Sequence, residues 1–80
     1  MLTTLVEIFV AFMLRNKEMA ELGFNEEEIK KELEILKTCK TETEYFKTLR
    51  IGTKVRINRL HKRSIWHTYE NAQNHAGFKM

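Results

Sequence analysis

The sequence predicts a small, mainly α-helical protein, and three observations carry that prediction. The chain has no proline and three glycines in 80 residues, whereas an all-β sandwich or barrel needs many tight turns. Most of its apolar residues recur at helical rather than alternating spacing. Asn25 and Thr41 each stand three places before a glutamate, just ahead of apolar residues, which is the pattern of a capped helix start. An apolar content of 42% excludes a wholly disordered chain. Residues 1–80 are read as one domain, because 80 residues cannot support two independent cores. The expected architecture is a hairpin of helices one and two packed on a C-terminal helix. A short strand near 53–60 is the alternative, which would make the fold α+β.

The first element is an apolar run from Leu2 to Leu14. It is too short for a membrane span and contains Glu7. No basic stretch precedes it and no small-residue cleavage site follows, so it does not read as a signal peptide. It reads as a helix with a wide apolar face: Leu2, Leu5, Val6, Phe9, Phe12 and Met13 share one side, and Ile8, Val10 and Leu14 widen it. A helix this apolar wants more than one neighbour, so those six residues are predicted to form a homo-oligomer interface, most simply a dimer.

The next boundary is the clearest. Gly23 suits the left-handed position that ends a helix, and Phe24 then stands at C″ within reach of Met19 at C3. Asn25 is the predicted N-cap of helix two, Glu28 completes a capping box, and Phe24 with Ile29 forms a hydrophobic staple. Glu26, Glu27 and Glu28 put negative charge at the positive end of the helix dipole. Helix two then carries Ile29, Leu33 and Leu36 on one stripe. Thr41 and Glu44 predict a short third helix over about 42–50, with Gly52 as its stop.

Residues 53–60 fit two periods. Alternation sets Thr53, Val55 and Ile57 against Lys54, Arg56 and Asn58, as in a half-buried strand. Helical spacing instead makes a stripe of Ile57, Leu60, Ile65, Tyr69, Ala72 and Ala76, with Arg56, Arg59, Lys62 and Arg63 opposite. No second strand candidate exists to pair with the first, which favours helix. Ser64 is expected to cap a final helix from about Ile65 to Ala76, with Gly77 after it.

The net charge of +3 hides an asymmetry. Residues 1–46 hold ten acids and six bases, while 47–80 hold eight bases and one acid, Glu70. Seven of those bases lie between Lys47 and Arg63 with no acid among them. A block of one sign attracts polyanions by neutralising phosphates and releasing counterions. Arg50, Lys54, Arg56, Arg59, Lys62 and Arg63 are the predicted phosphate contacts, and Trp66, beside the basic arc, is the predicted base-stacking residue. Tyr45, Phe46 and Tyr69 are expected in the core. Helix two begins Glu-Glu-Glu, so the first helix pair is no helix–turn–helix reader. RNA or single strands are therefore favoured over sequence-specific duplex.

Other chemistry has little footing. Cys39, His61, His67 and His75 lack zinc-ligand spacing, so neither a metal nor a cofactor is expected. One cysteine excludes an internal disulfide framework and fits a cytoplasmic setting. Arg56-Ile-Asn-Arg-Leu-His61 has an Arg-x4-His spacing. It resembles the ribonuclease motif of HEPN-domain proteins, and the resemblance would imply His61 as general acid or base and Arg56 as phosphate stabiliser. No Gly-rich phosphate loop or activated nucleophile is visible. The expectation is a non-enzymatic nucleic-acid-binding accessory protein. The alternative is an inhibitor or adaptor of the phage or mobile-element kind, which binds a host protein and could use Glu26, Glu27, Glu28, Glu32 and Glu34 to mimic nucleic acid.

Overall fold

A computed structural model describes residues 4–48 and 59–76, and the fold there is mainly α, with no strand among the described residues. The elements are α1 (Leu5–Arg15), α2 (Lys17–Glu21), α3 (Glu26–Lys37), α4 (Glu42–Phe46) and α5 (Arg59–His75). Leu2, Arg50, Lys54, Arg56 and residues 53–58 of the strand alternative lie outside the described residues; Arg59 and Leu60 are helical.

The first helix is split where the periodicity suggests continuity. Asn16 takes an extended conformation (φ −73°, ψ 116°), closing α1 and opening α2. Its Oδ1 accepts the backbone N–H groups of Glu18 at 3.0 Å and Met19 at 3.4 Å, while its Nδ2 donates to Ser64 Oγ on α5 at 3.1 Å. One carboxamide thus caps α2 and ties the elbow to the far helix. Ser64 is consequently not a cap: α5 starts at least five residues earlier, and Ser64 lies inside it.

The Gly23 boundary forms as predicted. Gly23 has φ +81°, its N–H donates to Ala20 O, and Phe24 N–H donates to Met19 O, a Schellman pair that satisfies two terminal carbonyls. Asn25 caps α3 in a complete capping box with Glu28, and Thr41 does the same for α4 with Glu44. Thr4 and Glu7 form a third such box at the start of α1. α4 is shorter than expected and ends at Phe46, with Lys47 as its C-cap.

The core joins Ile8, Phe9 and Met13 of α1 to Met19, Phe24, Ile29, Leu33 and Leu36, and to Tyr45, Ile65, Trp66, Tyr69 and Ala72. α1 packs on α2, α3 and α5 within the same chain. The neighbours its wide apolar face requires are therefore internal. Phe9 and Met13 are completely buried in this core, which removes them from any surface for a second subunit. Each buried side chain of that size contributes about 1.5–3 kcal/mol, more than a helix cap does.

α5 turns most of the predicted stripe inward and leaves Leu60 out of it. Ile65, Tyr69 and Ala72 face inward as predicted, but Leu60 is 71% exposed and Lys62 is 1% exposed. At about 100° per residue, inward Ile65, Tyr69 and Ala72 place Lys62 on the same face and Leu60 on the opposite one.

Candidate nucleic-acid interface and the charge pair behind it

The basic segment meets the described fold at both ends. Lys47 is exposed at the end of α4, and Arg59 opens α5. Arg63 is exposed one turn later, with its Nε 3.8 Å from Glu42 Oε2, too long for a hydrogen bond. An exposed pair at this distance holds Arg63 weakly and leaves it accessible to phosphate. Farther along the solvent side of α5 stand His67, Asn71, Asn74 and His75. His67 lies 3.6 Å from Glu70, and the His75 ring packs edge-on to Phe12.

Two predicted contacts belong to the interior instead. Trp66 is 7% exposed, with its ring centroid 5.5 Å from Tyr69 and 5.9 Å from Tyr45. Phe9 meets Tyr69 edge-to-face at 6.2 Å, so a run of rings links α1, α5 and α4. A base cannot stack on an indole already covered on this scale. Lys62 is the second correction. Its Nζ donates to Glu32 Oε2 at 3.0 Å and to Thr48 Oγ1 at 3.3 Å, and stands 4.1 Å from the Tyr45 ring centroid. The Tyr45 hydroxyl donates to the same Glu32 oxygen. Glu32 is fully buried, and its Oε1 accepts no hydrogen bond among the described residues.

This cluster has a clear electrostatic logic. A lysine enters the core only if its charge is matched, and Glu32 matches it. Removing one partner of such a pair costs about 3–5 kcal/mol, whereas replacing both with apolar groups is often neutral. Burial first, and then the facing Glu32 carboxylate, push the Tyr45 phenol far above the ordinary tyrosine range. No sequence motif marks Glu32 as Lys62's partner. The available signal was a lone glutamate one residue before Leu33 on the apolar side of α3.

The acidic surface is also less concentrated than the sequence suggests. Glu32 is internal, Glu28 is engaged in the capping box, and Glu26 and Glu34 pair with Lys30 and Lys37. A nucleic-acid-mimicking face built on those five acids loses its central member. Of the Arg-x4-His pair, Arg56 lies outside the described residues, and His61 is half-buried on α5 with its Nδ1 enclosed. Among the described residues no group of three or more His, Cys, Asp or Glu is placed to hold a metal ion. No helix among them is long and apolar enough to cross a membrane.

Of the predicted oligomer residues, Leu5, Val6 and Phe12 are half-buried. The apolar surface left on α1 shares only Val6 with that set. Val6, Val10, Ala11 and Leu14 line a groove of about 310 Å³ that is rimmed by Glu7, Glu26 and Lys30. No family model, curated protein or solved structure matches the chain.

Proposed function

We propose that this protein is a non-enzymatic nucleic-acid-binding accessory protein of the cytoplasm, acting as a homo-oligomer on RNA or single strands. The observation that carries the reading is the run of seven bases from Lys47 to Arg63 without an intervening acid. With Lys62 inside, the contacts reduce to Arg50, Lys54, Arg56, Arg59 and Arg63, joined by Lys47. Guanidinium groups suit this role because they bond phosphate oxygens in pairs. Single strands are favoured because no groove-reading module is recognisable in the chain.

Binding of a labelled single-stranded oligonucleotide, measured across salt concentrations, tests the proposal. If these six bases reach phosphates, affinity falls about three-hundredfold between about 50 and 200 mM salt. Arg63→Ala flattens that slope by about 0.7. Absent binding, or affinity indifferent to salt, rules the proposal out.

A further inference from the structure

We propose that the cleft between the last turn of α1 and the flank of α5 is a nucleotide site. Arg15 holds a phosphate there, Asn71 bonds the edge of an unpaired base, and the Phe12 ring packs against that base. Phe12, Arg15, Asn16, Thr68 and Asn71 line the cleft, which encloses about 380 Å³. α5 supplies one wall because Ser64, Thr68, Asn71 and His75 follow the spacing of a single helix flank. Two of the lining groups are spent on building it. Asn16 caps α2 and reaches Ser64, and the Thr68 hydroxyl donates to the Ser64 carbonyl at 2.9 Å. The other two polar groups are uncommitted: the exposed Arg15 and Asn71 make no ion pair or hydrogen bond among the described residues. The lining holds one cation and no acid. Glu70, beside Asn71 in the chain, faces His67 at 3.6 Å, and Glu18 is exposed on α2 outside the cleft. The groove on the other side of α1 is the reverse, apolar and rimmed by Glu7 and Glu26, which repel phosphate. A guanidinium bonds phosphate oxygens in pairs, a carboxamide bonds base edges, and an aromatic ring stacks on unpaired bases. The cleft brings one of each together, and so supplies the ring that Trp66, buried in the core, cannot. It also adjoins the basic block. Arg63 lies on α5 just before this flank, and Asn71 follows about 12 Å farther along the helix.

The site rests on the nucleic-acid reading for the strand it serves, but a free nucleotide tests it independently. The first experiment titrates the labelled single-stranded oligonucleotide against the full chain and its variants, with the helicity of each checked. Arg15→Ala is expected to lower the salt slope by about 0.7, the worth of one phosphate contact. Lys17→Ala, which removes an exposed cation outside the cleft, should leave the slope unchanged. Phe12→Leu keeps apolar bulk in a half-buried place and should weaken binding about five- to 150-fold at unchanged slope, as loss of one stacked base does. If Phe12→Leu melts the fold, the exposed Asn71→Ala takes its place, with a loss of about fivefold or more expected. The site is overturned by an unchanged slope in Arg15→Ala, by an equal fall in Lys17→Ala, or by unchanged affinity in the Phe12 or Asn71 variant. If the unaltered protein binds no oligonucleotide, the nucleic-acid reading fails, and adenosine monophosphate decides the cleft. Shifts of the Asn71 side-chain amide signals with the nucleotide, absent with inorganic phosphate, keep a nucleotide site. No shift, or the same shift with phosphate alone, overturns it.

Discussion

Tyr45 holds its proton because its phenol is buried and faces the carboxylate of Glu32. Tyr69, the other tyrosine, is also pushed above its ordinary value, by burial and then by Cys39. The sign of the pH effect follows from linkage. The unfolded chain releases these protons near the ordinary tyrosine value of about 10, while the folded chain keeps them. Their contribution to stability is present below about pH 10 and is lost as pH rises beyond it. The expected result of an alkaline titration is that the Tyr45 phenolate emerges together with unfolding, after Tyr69 or with it. Both phenols ionising near pH 10 in a folded protein would contradict the burial of Tyr45 beside Glu32. Tyr45→Phe should cost about 1–3 kcal/mol at neutral pH in urea unfolding, since Glu32 loses a donor in a place water does not reach. Trp66 gives a second check at this scale. As the only tryptophan, and a buried one, it should emit at short wavelength and resist acrylamide quenching. Adding oligonucleotide should leave that emission unchanged, whereas a stacked base would quench it.

Two junctions fix how the helices follow one another. At Gly23 the positive φ is required by the Schellman turn, and a Cβ there would meet nothing within 4 Å. Gly23→Ala is therefore expected to cost about 1–2 kcal/mol from backbone strain alone, without a steric component. At Asn16 the side chain does two things, and two substitutions separate them. Asn16→Asp keeps the acceptor that caps α2 and loses the donor to Ser64; Asn16→Ala loses both. The alanine variant should be less stable than the aspartate variant by about 1 kcal/mol, the usual worth of an N-cap. Equal losses in urea unfolding would mean that the cap contributes nothing. The Gly23, Asn25 and Thr41 boundaries are legible in the sequence because capping is local: donor and acceptor lie within five residues of each other. Asn16 was not legible, because an asparagine inside an apolar-periodic stretch reads as a tolerated polar residue until its partner Ser64, 48 positions away, is in place.

At the scale of the molecule, the acidic N-terminal part supplies the scaffold and the basic part closes it through α5. α1 satisfies most of its apolar face against α3 and α5. What remains for self-association is the Val6, Val10, Ala11 and Leu14 stripe, with Leu14 49% exposed. Sedimentation should then find a dimer that Leu14→Asp shifts toward monomer; a monomer at every concentration removes self-association from the proposal. The sequence by itself determined the helical class, the Gly23 turn, the caps of α3 and α4, and the crowding of positive charge between Lys47 and Arg63. Each of these depends on residue type and near-neighbour spacing, which a linear chain displays. Only the tertiary structure decided that Lys62 and Trp66 face the core, that Phe9 and Met13 are spent within one chain, and that Leu60 is left outside. Spacing alone does not supply these, because whether a polar or apolar residue on a helix face is buried depends on the partners it meets across the core. Here an internal carboxylate on α3 matches the charge of a lysine that lies on the buried face of α5.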